Sequence, residues 1–191
     1  MLKVMIVDEV AQRGEALQSA LASSRYTVIA YVRSMRELHR QAGIVEPDVI
    51  IIAVDSPDRD TLENLRVMSR DKPRPVVMFT RDGDIGKIRA AVEAGVNAYV
   101  VDGMPAQRIG PIIEVAVARF EQFQTLKREL DETETKLSER KVIERAKGIL
   151  MRSRNLSEAD AYRALRRQAM DTNARLADVA QHVIAVADLL A

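Results

Sequence analysis

Five short runs of β-branched and apolar residues in the first 110 residues place the strongest constraint on the fold. They are KVMIV (3–7), YTVIAYV (26–32), DVIIIAV (48–54), PVVMF (75–79) and NAYVV (97–101), and segments with helical spacing separate them. Strands that are apolar along their whole length are buried on both faces, as in parallel sheets covered by helices. The pattern therefore predicts an α/β doubly wound domain with a five-stranded parallel sheet over residues 1–110.

Composition excludes several classes of protein. The chain has 191 residues, 47% of them hydrophobic, which suffices for one large domain or two small ones. Cysteine is absent and only His39 and His182 are present, which argues against disulfides, thiolate nucleophiles and Cys- or His-based metal centres. No apolar run approaches the roughly 18 residues of a membrane span, and the N-terminal apolar run is too short for a signal peptide. We predict a cytoplasmic protein that does not contact membranes.

Polar residues follow four of the five predicted strands. Asp8 and Glu9 follow the first strand, Asp55 the third, Thr80 the fourth and Asp102 the fifth. In open α/β sheets the functional crevice lies beyond the carboxyl ends of the strands. Three carboxylates converging there would suit Mg²⁺, so we predict a weak magnesium site formed by Asp8, Glu9 and Asp55. The alternative is that each acid only caps the helix that follows it.

The residues at these strand ends resemble the receiver domain of response regulators. The resemblance rests on the acidic pair in IVDEV, the aspartate in IIAVDSP, the threonine in VVMFT and the segment AGVNAYV. It implies that Asp55 accepts a phosphoryl group from a histidine kinase while acids at positions 8 and 9 help to hold Mg²⁺. It also implies that Thr80 senses the phosphoryl group and that Tyr99 is the aromatic switch residue.

One position departs from the receiver pattern. Receivers place a lysine followed by proline just after the fifth strand, and this chain has Asp102 and Gly103 there. A carboxylate in place of the lysine adds like-charge repulsion beside a phosphorylated aspartate, on the order of a few kcal/mol when partly buried. We therefore expect phosphorylation to be weak or not to be the physiological signal.

Residues 111–137 have the spacing of a coiled coil. The apolar seam has alternating steps of three and four residues and consists of Phe123, Leu126, Leu130, Thr133 and Leu137. Such a stripe has nothing to pack against within its own segment, so we predict a helical linker that forms a parallel homodimer. The alternative is that the stripe packs back onto the α/β domain.

Residues 138–191 are predicted to form a small bundle of three helices, the first of which continues the linker. Ser157 is placed to cap the second helix, and Tyr162, Leu165 and Ala169 are predicted to form its apolar face. We also place Met151 and Met170 in the core and His182 on the surface. Ten basic and seven acidic residues give this segment a charge of +3. That charge points to an anionic partner, although a solvated helix face would also account for it.

The segments ERAKGILMRSRNLSEADAYRALRRQAM and NARLADVAQHVI resemble the ANTAR domain, an RNA-binding module of transcription antitermination regulators. The resemblance implies binding to paired stem-loops in leader RNA, which prevents a terminator from forming. A glycine inside a helix costs about 1 kcal/mol relative to alanine, so Gly148 indicates close approach of RNA or of a neighbouring helix. The residues predicted to contact RNA are Lys141, Arg145, Lys147, Gly148, Arg152, Arg166, Arg167 and Arg175.

Over its full length the chain resembles nitrate-assimilation antiterminators of the NasT type, which implies control by a nitrate-sensing partner protein. Our leading hypothesis is an RNA-binding antiterminator without enzymatic activity, because only self-phosphorylation of the receiver would support an enzyme. The alternative hypothesis is a phosphorylation-dependent, DNA-binding response regulator. The final predicted helix carries little basic charge beyond Arg175, which argues against a DNA recognition helix.

Overall fold

The computed structural model describes residues 1–22, 25–103 and 106–189. It divides into two compact units, Met1–Gln124 (unit 1) and Thr125–Ala191 (unit 2). The strands are β1 (Leu2–Asp8), β2 (Tyr26–Val32), β3 (Val49–Ala53), β4 (Val76–Thr80) and β5 (Ala98–Val101). The helices are α1 (Ala11–Ala22), α2 (Met35–Val45), α3 (Arg59–Asp71), α4 (Ile85–Glu93), α5 (Ala106–Arg154), α6 (Glu158–Asp171) and α7 (Leu176–Leu189).

Unit 1 is the predicted doubly wound domain. Its five parallel strands have the order β2-β1-β3-β4-β5. Alternate residues of the apolar strands enter two separate cores, as Ile50 and Ile52 enter one while Val49 and Ile51 enter the other. Helices α2, α3 and α4 cover the first core, and α1 and α5 cover the second. The prediction of a sheet buried on both faces is confirmed.

The strand order places two acids beside each other. It reverses between β1 and β3, and ligand crevices in open α/β sheets form at such a reversal. Asp8 is the last residue of β1, and Asp55 follows the end of β3. Asp58, not Asp55, caps α3 by accepting a hydrogen bond from the backbone N–H of Thr61. Capping therefore does not account for Asp55.

Helix α5 is continuous where the sequence suggested a boundary near residue 110. It begins at Ala106, includes Pro111 and ends at Arg154. Proline removes one backbone donor and is best tolerated in the first turn of a helix, whereas Pro111 is the sixth residue of α5. The helix contributes Ile113 to a core of unit 1 and Leu150 to the core of unit 2. The chain divides into compact units after Gln124, a position between the predicted boundaries after residues 110 and 137.

Unit 2 is the predicted three-helix bundle. Its core joins residues of α5, α6 and α7, and the buried set consists of Ala146, Leu150, Ala161, Leu165, Ala169, Val179, Ala180 and Ile184. The buried face of α6 begins with Ala161, one residue before the predicted Tyr162. Ala161 is buried with Leu165 and Ala169, whereas Tyr162 lies about 100° further round the helix and is 41% exposed. In the described part of the chain, no helix has the length and apolar character needed to cross a membrane.

Candidate signalling crevice and nucleic-acid interface

Arg13 joins the two acids of the crevice. Its Nε and Nη2 atoms donate to Asp8 Oδ2 and Oδ1 at 2.8 and 2.9 Å, a bidentate pairing. Its Nη2 also donates to the carbonyl of Ala53 at 3.0 Å, and its Nη1 donates to Asp55 Oδ1 at 2.8 Å. The Asp8 side chain is fully buried, while the side chains of Arg13 and Asp55 are 19% and 64% exposed. A single guanidinium therefore bridges the buried and the exposed carboxylate.

The electrostatics of Arg13 agree with this geometry. Hydrogen bonding to Asp8 is the largest cause that raises the pKa of Arg13 above its ordinary value, and Asp55 raises it further. Partial burial opposes the shift but does not cancel it. The guanidinium is therefore held in its charged form by the two acids it contacts.

The predicted magnesium ligands are not arranged as a ligand set. Both oxygens of Asp8 and one oxygen of Asp55 accept hydrogen bonds from Arg13, and Glu9 is exposed. Mg²⁺ requires oxygen ligands at about 2.0–2.1 Å in a nearly octahedral arrangement. No group of three or more acidic or histidine side chains within the described ranges could hold a metal ion. The donors present in this arrangement therefore do not fit Mg²⁺.

A second polar network lies beside Asp55 and was not predicted from the sequence. Lys87 Nζ donates to Asp82 Oδ2 at 2.6 Å and to Ser56 Oγ at 2.7 Å. Ser56 donates to the same oxygen of Asp82 at 2.6 Å. The bond from Lys87 is the main reason that the pKa of Asp82 lies well below its ordinary value. This lysine comes from α4, not from the end of β5 where the receiver pattern places one.

The two predicted switch residues contact the same loops. Thr80 Oγ1 donates to the backbone carbonyl of Asp55 at 2.9 Å and accepts from the backbone N–H of Asp82 at 3.1 Å. The hydroxyl of Tyr99 donates to the carbonyl of Asp82 at 2.8 Å, and burial raises its pKa. Both side chains thus link the segment after β4 to its neighbours.

Asp102 ends β5 in a turn. It has a φ of 49° and is followed by Gly103 with a φ of 114°, so both residues lie in the left-handed region. Aspartate tolerates this conformation better than most residues do. The backbone N–H of Asp102 donates to the carbonyl of Thr80 at 3.0 Å, and the residue is exposed. Asp102 therefore lies in the turn that ends β5, the outermost strand of the sheet.

Three of the predicted RNA contacts form ion pairs within unit 2. Lys147 is 7% exposed, and its Nζ atom contacts Glu158 at 2.6 Å and Glu144 at 3.0 Å. Arg145 pairs with Asp188 at 2.9 Å. The ion pair of Lys147 with Glu158 joins α5 to α6, and that of Arg145 with Asp188 joins α5 to α7. The sequence prediction did not include this structural role.

Arg175 is the third paired cation. It contacts Asp178 at 2.9 Å and Glu139 at 3.7 Å. Asp178 is the main reason that the pKa of Arg175 is raised. Its guanidinium would have to exchange these acids for phosphate before it could contact RNA.

The other four predicted cations are exposed. Lys141 and Arg152 lie on α5, and Arg166 and Arg167 lie on α6. In residues 1–22, 25–103 and 106–189 no carboxylate forms an ion pair with any of the four. Exposed cations without an internal counter-charge keep their full capacity to bind phosphate.

Gly148 lies between Lys141 and Arg152 on one side of α5. A Cβ atom at this position would meet only the Nη1 atom of Arg152, at 3.6 Å. Within the described residues, no atom of another helix lies within 4 Å of that Cβ position. Packing of another helix of this chain therefore gives no reason for a glycine here.

Two residues predicted to be buried are on the surface of α6. Tyr162 is 41% exposed and Met170 is 72% exposed, and Met151 on α5 is 37% exposed. Tyr162, Arg166 and Met170 are four residues apart and so share one side of the helix. The predicted core positions of Tyr162, Met170 and Met151 are wrong, and on α6 the core is filled by Ala161, Leu165 and Ala169 instead. His182 is exposed, as predicted.

An open parallel sheet with an aspartate at its order reversal, followed by a helical unit with exposed cations, is the architecture of a two-part signalling regulator. The sequence pattern of the response regulator receiver domain family matches residues 4–114, and that of the ANTAR domain matches residues 131–184. The chain belongs to the response regulator receiver family and carries an ANTAR domain after its receiver domain.

Relatives and solved structures agree with this assignment. Transcriptional regulatory protein PdtaR of Mycobacterium tuberculosis (strain CDC 1551 / Oshkosh) is 29% identical over 182 residues, covering 95% of this chain and 89% of PdtaR. A nitrate regulatory protein of Klebsiella oxytoca is 38% identical over 65 residues, covering 34% of this chain and 16% of that protein. The signal receiver domain of a modulated diguanylate cyclase from Desulfovibrio desulfuricans G20 has a TM-score of 0.57 at 20% identity, covering 64% of this chain and 98% of that chain. That likeness concerns the fold alone.

Proposed function

We propose that this chain is an RNA-binding transcription antitermination regulator that binds two stem-loops in leader RNA in the cytoplasm. The observation that carries the proposal is a set of exposed cations on unit 2 that form no ion pair within the described residues, namely Lys141, Arg152, Arg166 and Arg167. Phosphates attract such cations, and arginine can also stack on the unstacked bases of RNA loops. The binding surface that we propose consists of these four residues together with Gly148, Tyr162 and Met170.

We propose different roles for the three cations that form ion pairs. Lys147 stabilises the contact between α5 and α6 and does not bind RNA, because its ammonium pairs with Glu144 and Glu158. Arg145 and Arg175 contribute to RNA binding only if they exchange their acids for phosphate. A DNA-binding function is less well supported, because α7 (Leu176–Leu189) contains no lysine or arginine. Recognition helices that enter the major groove of DNA normally contact phosphates and bases through such residues.

The direct test is binding of the full chain to a fluorescent RNA with two stem-loops, compared with a DNA duplex of the same length. We expect RNA binding that weakens as salt increases, because phosphate contacts release counterions. Binding to the DNA duplex with equal affinity would contradict the proposal and favour the DNA-binding alternative.

We also propose that a sensor protein, more than phosphorylation, controls this regulator, and that the signal is nitrate or nitrite. The replacement of the receiver lysine by Asp102 supports the first part of this proposal. The name of the Klebsiella oxytoca relative supports the second, although the match covers only 65 residues.

Phosphorylation can be tested with a small-molecule donor. Incubation with acetyl phosphate and Mg²⁺ should produce little stable phosphoprotein, measured by intact-protein mass spectrometry. Asp102→Lys should increase the yield, because an ammonium would offset the charge of the phosphoryl group. The matched control is Asp84→Asn on the exposed start of α4. A long-lived, nearly complete phosphorylation of the unchanged protein would contradict our account of Asp102.

The exposed stripe on α5 supports a homodimer. Its apolar residues are each 54–62% exposed, namely Phe123, Leu126, Leu130 and Leu137. A coiled-coil seam has this exposure in a single copy and becomes buried in the dimer. We propose that two copies pair through this stripe as a parallel coiled coil.

Changing two leucines of the seam tests the dimer. Leu126→Glu with Leu130→Glu should produce a monomer, because four carboxylates would have to be buried together in the coiled coil. Arg128→Glu is the matched control, since residue 128 lies on the opposite side of the same helix. Light scattering coupled to gel filtration gives the mass of each variant. A monomeric unchanged protein, with and without RNA, would rule out this interface.

A further inference from the structure

The crevice of unit 1 already contains a cation that belongs to the chain. Arg13 has five N–H donors, and four of them are used on Asp8, Asp55 and the carbonyl of Ala53. A second arginine, Arg81, approaches the same oxygen of Asp55 at 3.8 Å. The two carboxylates therefore face positive charge from the protein itself.

The geometry suits guanidinium better than a divalent ion. The planar fork of arginine matches a carboxylate with two parallel hydrogen bonds, as Arg13 does with Asp8. A magnesium ion would need those same carboxylate oxygens as ligands. It would also experience repulsion from a guanidinium placed between them. Mg²⁺ and Arg13 thus compete for one position.

The position of Arg13 is set by the fold. It lies in the first turn of α1, where a basic residue is unfavourable because the helix N-terminus is itself positive. Bonds to both acids offset that cost. Leu17 and Leu21 anchor α1 in a core of unit 1. The guanidinium of Arg13 is therefore always present at the crevice, whereas occupancy by a metal ion depends on its concentration in solution.

We propose that Arg13 is the resident cation of this crevice and replaces the divalent metal between Asp8 and Asp55. The crevice is then assembled without metal, and a metal ion enters only when the guanidinium leaves. This inference extends the proposal that phosphorylation is not the main signal. It does not depend on RNA binding, so failure of either proposal can be recognised separately.

The test is metal binding by full-length Arg13→Gln, which removes the charge and keeps a side chain of related shape. Mn²⁺ serves as a paramagnetic probe for Mg²⁺, and free Mn²⁺ is measured by electron paramagnetic resonance. We expect Arg13→Gln to bind Mn²⁺ at least tenfold more tightly than the unchanged protein, and Mg²⁺ to compete with it. Arg89→Gln, which removes an exposed arginine of α4, is the matched control and should behave like the unchanged protein.

A second measurement covers the case in which Arg13→Gln folds poorly. Mg²⁺ should raise its thermal unfolding temperature, or restore its circular dichroism, while leaving the unchanged protein unaffected. Adding Asp8→Asn to the variant should abolish the effect, because the main ligand is lost. Equal Mn²⁺ affinity in Arg13→Gln and the unchanged protein, or no response of the variant to Mg²⁺, would overturn the proposal.

Discussion

Replacing Arg166 and Arg167 together with alanine should weaken binding to a two-stem-loop RNA by roughly 10- to 100-fold at 0.15 M salt. Both guanidinium groups are exposed on α6, and within the described residues neither forms an ion pair. Losing two phosphate contacts should also lower the slope of log affinity against log salt by about 1.5 to 2. Fluorescence anisotropy at four salt concentrations measures both quantities.

Two comparisons make this result specific. Arg128→Ala removes one exposed cation of α5 outside the ANTAR match at 131–184 and should change affinity little. Tyr162→Ala should weaken binding without changing the salt slope, because a ring that stacks on a base contributes no charge. If the change at Arg166 and Arg167 left affinity and slope unaltered, the proposed surface on α6 would be wrong.

Replacing Arg13 with glutamine should destabilise unit 1 by about 3 kcal/mol in the absence of metal. The change leaves the fully buried carboxylate of Asp8 without its cation. Breaking a buried ion pair from one side costs about 3–5 kcal/mol, and we take the lower end because the Arg13 side chain is 19% exposed. Urea unfolding followed by circular dichroism measures the difference.

The double variant Asp8→Asn with Arg13→Gln tests whether the unpaired, buried charge of Asp8 causes the loss of stability. It should recover much of the lost stability, because no buried charge then remains unpaired. Arg89→Gln should be nearly neutral, as exposed substitutions usually are. A double variant no more stable than Arg13→Gln alone would mean that the buried charge of Asp8 is not the cause.

The sheet could be predicted because its strands are apolar along their whole length. A run such as VIIIA at residues 49–53 can be buried only with cover on both faces, and the structure has two cores there. Asp8, Asp55 and Thr80 could be placed at one edge for the same reason, since parallel strands end on the same side. The role of Arg13 had a weaker signal, a basic residue in the first turn of a helix, which the sequence prediction did not use.

The errors in the helical unit have one physical cause. Tyr162 and Leu165 are three residues apart and could share a face, but so could Ala161, Leu165 and Ala169, and only packing decides between the two registers. Similarly, nothing in the sequence distinguishes Lys147, which is buried, from the exposed cations of the same helix. Its burial between Glu144 and Glu158 depends on where α6 lies against α5.

The sequence by itself determined the five-stranded parallel sheet, the long helix, the three-helix bundle and the excess of basic residues in the last third of the chain. These follow from periodicity and composition, which are local properties. Only the tertiary structure decided which charges are neutralised inside the protein and which stay available to a partner. Arg13 is bound by Asp8 at the end of β1 and by Asp55 after β3, and Lys147 is bound by acids of two helices, whereas Arg166 and Arg167 remain exposed. Which of the many nearby acids pairs with a given cation, and whether the pair is buried, depends on how the strands and helices pack, so charge alone could not reveal it.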